Sequence, residues 1–210
     1  MSVTAERVSK VDKNKLQKEN SLLHTAFEYF TTKGFSKTSI SDIVEKAGVA
    51  KGTFYLYFKD KYDIRNKLIA HKSSQLFRNA AAELEADPSI TDFTDKIIKI
   101  ADSIIDQLNS NQTLLTFISK NLSWGIFKSA LEKKVSDDDI DFSEIYQKML
   151  NISPYKFEAP ETMLFMIIEL VSSTCYSAIL YKEPCTLDEL KPYLYDAIRA
   201  IIERNKIKDN

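Results

Sequence analysis

The chain is poor in the residues that most catalytic and metal chemistry uses. Its 210 residues include four glycines, two cysteines and two histidines. Gly34, Gly48 and Gly52 fall in the first quarter of the chain, and Gly125 alone follows. A glycine-rich run that could wrap a phosphate on backbone amides is missing. Cys175 and Cys185 make no zinc pattern with His24 or His71, so both are expected as free thiols, and neither a metal nor another cofactor is expected. No nucleophile stands at a recognisable spacing from a base, which leaves an all-helical enzyme little support. The opening segment MSVTAERVSKVDKNKLQ has no apolar core of the secretory kind, and a cytoplasmic location is expected from it. Strand-like alternation is absent too, so the fold class expected is all-α.

What the chain does have is charge, unevenly placed. The formal net charge is -1, yet residues 1–72 carry 14 Lys and Arg against 8 Asp and Glu, and residues 73–210 carry 15 against 22. A basic first third is the footprint of a polyanionic partner, and the acidic remainder argues against coating of nucleic acid by the whole surface. The organisation expected is a flexible arm over 1–14, a helix-turn-helix DNA-binding domain over 15–72 and a helical ligand-binding and dimerisation domain over 73–210.

The most informative stretch is GFSKTSISDIVEKAGVAKGTFYLYFKDKYDI, Gly34 to Ile64. Ser39 stands where it can cap a helix, with Asp42 three residues on to reach back to the cap amide. Ile40, Ile43, Val44 and Ala47 then repeat at the spacing of one buried face, while Asp42, Glu45 and Lys46 stay wet. Gly48 sits where the chain must turn. A second helix, Lys51 to Tyr57, is too short to stand alone and must be held by Phe54 and Phe58. Its outward set is Lys51, Thr53, Tyr55, Leu56 and Tyr57, with Gly52 allowing close backbone approach. Cations, hydroxyls and an exposed apolar group are what reads a DNA major groove: phosphate ligands, base-edge hydrogen bonders and a contact for thymine methyls. Asp60 caps a further helix and puts Lys61 in its first turn.

This stretch resembles the amino-terminal domain of the TetR family of transcriptional regulators. Gly34, Thr38, Ser39, Ile40, Ile43, Ala47, Gly48, Val49, Gly52, Thr53, Phe54, Tyr55, Tyr57, Phe58, Asp60 and Lys61 all fall on the family pattern, from Leu16 to about His71. The resemblance implies that Lys51, Gly52, Thr53, Leu56 and Tyr57 approach bases and that Thr38, Ser39, Tyr55 and Lys61 approach phosphates. Ala50, where Ser or Thr commonly caps, and Val44, where Ala is commoner, depart from it. A missing cap costs the short helix about 1 kcal/mol.

Beyond the headpiece, one long helix from Asp60 to about Glu85 is expected to join the two domains, a connection able to carry a displacement. Helices are expected over 90–109 and 111–127, and residues 132–141 read as a polar loop; Asp137, Asp139 and Asp141 there lack the glycine and closing glutamate of a calcium loop. Glu158 to Tyr181 is apolar all round and is expected to be buried on every side; Glu169 and four hydroxyl residues at its centre argue against the rival reading, a membrane span. Thr186 and Glu189 form a capping box for the last helix, kinked or begun at Pro192. Helices near 158–181 and 186–204 would build a homodimer, as the resemblance also implies. Phe117, Trp124, Phe127, Tyr146, Phe165, Met166 and Tyr176 are the expected ligand lining, suited to a small hydrophobic or aromatic effector. The function this supports is a ligand-responsive repressor on a palindromic double-stranded operator; the alternative is a TetR-like module acting on a protein partner.

Overall fold

The computed structural model describes residues 10–121 and 142–207, helical nearly throughout. Its helices are α1 (Lys10–Tyr29), α2 (Ile40–Ala47), α3 (Lys51–Tyr57), α4 (Lys61–Glu85), α5 (Phe93–Ser110), α6 (Gln112–Asn121), α7 (Phe142–Ile152), α8 (Pro160–Leu180) and α9 (Leu187–Asn205). The one β pairing among the described residues is an isolated antiparallel bridge between Phe157 and Lys206. Two compact units meet between Leu68 and Ile69, inside the span of α4.

In the first unit α1 starts at Lys10 and ends in a π-type turn, Phe30–Gly34. Leu22, Leu23, Ala26 and Phe30 of this stretch are buried, as are Ile43 and Val44 of α2, Phe54 and Phe58 beside α3, and Ile64 and Leu68 of α4. α1 packs on α2, and α2 on α3. The Ser21 hydroxyl donates to the Ala47 carbonyl at 3.3 Å, closing the end of α2 on α1.

In the second unit α8 lies against α5, α6 and α9. Ile97, Ile105, Leu115, Met163, Ile167 and Ile198 are among its buried residues. α9 begins with the expected capping box, the Thr186 hydroxyl accepting from the Glu189 amide and the Glu189 carboxylate from the Thr186 amide at 2.9 Å. It runs unbroken through Pro192, so the helix does not begin there. α8 departs from expectation more usefully: Met163, Leu164, Ile167, Cys175, Ala178 and Ile179 are buried, but Phe165 and Met166 are 36% and 37% exposed. By length and composition α8 could cross a membrane. Its inward residues instead belong to the core of this unit.

A polar clamp joins α5 to α9. The Lys191 ammonium donates to Asp102 and Asp106 at 2.6 Å each, and the Tyr195 hydroxyl donates to Asp102. Burial alone would raise the Asp102 carboxyl, but the bonds from Lys191 and Tyr195 hold it below the ordinary 3.8. Asp42 also lies below 3.8, through its hydrogen bonds with Ser39. A carboxyl depressed by folding contributes its stabilisation fully above its unfolded value, and that contribution is lost as pH falls through the folded value. The melting temperature should therefore hold near pH 5 and fall below about pH 4, where unfolded carboxyls take up protons. Asp102→Asn should flatten that fall; an unchanged acid limb would show that the clamp is not its source.

Candidate nucleic-acid interface and ligand cavity

The α2–turn–α3 segment is set by local chemistry. The Ser39 hydroxyl accepts from the Asp42 amide at 3.1 Å while the Asp42 carboxylate accepts from the Ser39 amide at 2.7 Å, both halves of a capping box. Gly48 ends α2 at φ 68, ψ 32, a left-handed conformation that a side chain would strain. The Val49 amide reaches back to the Val44 carbonyl at 3.0 Å and fixes the exit of the chain. α3 has no side-chain cap at Ala50, and it is held by its anchors: Phe54 is 0% and Phe58 1% exposed, with ring centroids 5.4 Å apart. Opposite them Lys51, Gly52, Tyr55 and Leu56 are exposed, Leu56 at 80%, and Thr53 and Tyr57 are half-buried at the edges. A large aliphatic side chain this open, beside a cation and two phenols, suits a partner more than solvent.

Three of the residues implied as phosphate ligands have other work. Thr38 is 1% exposed, and its hydroxyl donates to the carbonyls of Gly34 at 2.9 Å and Tyr29 at 3.3 Å. That corrects the expectation for its side chain, which faces the fold. The Lys61 ammonium donates to the carbonyls of Phe35 at 2.8 Å and Thr38 at 2.9 Å and lies 4.5 Å from the centre of the Phe35 ring. It is a strut of the turn before α2. Ser39 spends its hydroxyl on Asp42. Sequence reasoning missed Lys67, whose ammonium donates to the carbonyl of Tyr57, the last residue of α3, at 2.7 Å and lies 4.9 Å from the Phe58 ring centre. Glu19 on α1 is raised by burial, an effect that the nearby charge of Lys67 opposes. Spacing within α4 carries no sign of such a bond, because its partner lies ten residues back across a turn.

The second unit holds a cavity of about 430 Å³. Its walls are mostly aliphatic, from residues such as Ile97, Ile100, Ile104, Ile105 and Leu108 on α5 and Ile167 on α8. Of the expected lining, Tyr176 alone among the described residues is there. Phe117 and Tyr146 are 5% exposed and fill the core, the Tyr146 hydroxyl donating to the Pro160 carbonyl at 2.9 Å. Phe165 and Met166 face outward, and Trp124 and Phe127 lie outside the described residues. Phe117 and Tyr146 went to packing, where large rings bury the most area, and the space left over is bounded mostly by branched aliphatics. The isoleucine stripe of α5 was the available signal, and in sequence it is indistinguishable from ordinary core.

A model of the bacterial regulatory proteins of the tetR family matches residues 22–68, the stretch that forms this headpiece. That match covers the headpiece, and over those residues the chain is similar to the tetR-family regulators. Among its relatives, the HTH-type transcriptional regulator YvdT of Bacillus subtilis is 46% identical over 63 residues, 28% of this chain and 32% of that protein. YuxN of the same organism, also an HTH-type transcriptional regulator, is 24% identical over 200 residues, 90% of this chain and 66% of its own length. The chain thus spans less than two thirds of the length of either relative. The solved transcriptional regulator FadR of Bacillus subtilis, in complex with stearoyl-CoA, shares the fold with a TM-score of 0.61 at 18% identity, covering 85% of this chain and 96% of that one. A TetR-family transcriptional regulator from Haemophilus influenzae gives 0.56 at 19% identity over 93% and 100% of the two chains. The family likeness in sequence lies in the headpiece, and the solved structures share the helical fold beyond it.

Proposed function

We propose that this chain is a cytoplasmic, homodimeric repressor of the TetR family that reads a palindromic operator with α3 and is released from it by a small aliphatic effector. The observation that carries the reading is the division of α3 into one side fully buried through Phe54 and Phe58 and another offering Lys51, Gly52, Thr53, Tyr55, Leu56 and Tyr57. A headpiece of this size gives too few base contacts for specificity alone, and two copies related by symmetry read half-sites ~34 Å or a multiple apart. The open stripe of α8, with Phe165 and Met166, and the 76% exposed Tyr193 of α9 supply apolar surface for a second copy. Release follows from a population shift: an effector favours a conformer in which the two α3 helices no longer match successive grooves.

The cavity supports the effector's chemistry, its aliphatic walls favouring a chain over the aromatic molecule expected from the sequence. That FadR was solved with stearoyl-CoA agrees with a chain-like guest. Sedimentation equilibrium of the protein with a selected duplex should give two chains per duplex. One chain per duplex at saturation would contradict the symmetric reading. Filling the cavity with Ile104→Trp should leave DNA binding within about twofold and abolish release by an added alkyl effector, followed by fluorescence anisotropy; release that survives the plug would place the effector elsewhere.

A further inference from the structure

We infer that the occupant of the cavity is an aliphatic amphiphile with a cationic, N–H-donating head, a long-chain alkylammonium in chemical class, and neither a fatty carboxylate nor an acyl thioester of a polyphosphate carrier. The inference deepens the effector reading and rests on it.

Apolar walls select a chain but say nothing of its head. The head is selected by the few polar groups among them. Glu169 is the one charged residue in the described lining; it is exposed and makes no ion pair among the described residues. No Lys, Arg or His stands in that lining to neutralise a carboxylate or a phosphate. An anionic head would meet a like charge and no counter-charge, whereas a cation would meet its partner at the rim of a low-dielectric cavity. If α8 is covered by a second copy, Glu169 loses water and its need for a cation grows.

The hydroxyls accommodate the same head. Ser172 donates its proton to the Ile168 carbonyl at 2.5 Å, so what it has left to offer is lone pairs. Ser73 is 5% exposed, lines the cavity and has no hydrogen-bond partner among the described residues. A buried hydroxyl without a partner in an apolar enclosure calls for a guest that supplies one. What decides the head is charge: the described lining offers one carboxylate and no cation, which complements a cationic donor, whereas the carboxylate of a fatty acid is an anion and an acceptor only.

The test is calorimetric titration of the full chain with probes of one chain length below their micelle concentrations: decylammonium, 1-decanol, decanoate and decanoyl-CoA. Decylammonium should bind roughly tenfold or more tighter than decanoate, with decanol between them, and each added methylene should gain about fourfold. Glu169→Gln should erase the preference for the cation while keeping affinity for decanol, which also reports that the variant is folded. Ile104→Trp should remove binding of all four. Decanoate or decanoyl-CoA as the tightest ligand, an unchanged preference in Glu169→Gln, or no binding by any probe would each overturn the inference. If decylammonium binds with the stated selectivity but leaves the operator complex intact, the inference stands and the effector reading fails; if decanoyl-CoA binds tightest and releases DNA, the reverse holds.

Discussion

Gly52→Ala is expected to leave the protein as stable as before, or more stable by up to about 1 kcal/mol, and to weaken DNA binding at least tenfold. Gly48 is required by its own fold, at φ +68 in the turn, but Gly52 is not. It lies in α3, and a Cβ built there meets nothing within 4 Å. Alanine would cost the free protein no contact and would favour the helix. A glycine with no internal reason, on the exposed side of a helix flanked by Lys51 and Thr53, is explained by what approaches from outside. A DNA strand seated on the start of α3 would collide with the added methyl. Thermal melts and anisotropy titrations on one duplex separate the two effects. A variant that melts lower and binds DNA unchanged would mean that the glycine serves the fold.

Lys67→Met should cost about tenfold in affinity for every duplex while the slope of log affinity against log salt stays unchanged. The Lys67 ammonium holds the Tyr57 carbonyl, at the end of α3, 2.7 Å away. Removing it frees the end of a seven-residue helix that has no side-chain cap at its start, so α3 loses its aim and no counterion release is lost. Lys51→Ala should behave in the opposite way, lowering the salt slope by about one unit, because Lys51 is exposed at the start of α3. Lys67→Arg keeps a donor over the same distance and should recover most of the loss. A slope reduced by one in Lys67→Met would make it a phosphate ligand and refute its positioning role.

The parts of the site legible in the sequence are those decided within a few residues. Ser39 with Asp42, Gly48 in its turn, and Thr186 with Glu189 each depend on neighbours three or so positions away, and each is found where the pattern puts it. The bonds of Thr38 and Lys61 were harder to read because some of their partners are remote: Tyr29 lies nine residues from Thr38 and Phe35 26 residues from Lys61. A free surface cation and one bonded to its own backbone have the same letter. The cavity was illegible for a different reason, since it is volume that no side chain fills, and of the aromatic residues expected as its walls Phe117 and Tyr146 pack into the core instead. The apolar girdle of α8 predicted cover all round, whereas Phe165 and Met166 are more than a third exposed.

The central claim is that the exposed side of α3 enters a groove, twice per assembly. Selection of duplexes from a fully randomised pool by the wild-type chain and by Thr53→Ala tests it most directly. The account predicts an enriched site of two inverted arms, centred about one helical turn (~10 base pairs) or a multiple of it apart, with the same base positions altered in both arms by Thr53→Ala. Enrichment of no sequence over bulk competitor, or of one unpaired arm that Thr53→Ala leaves unchanged, would contradict it.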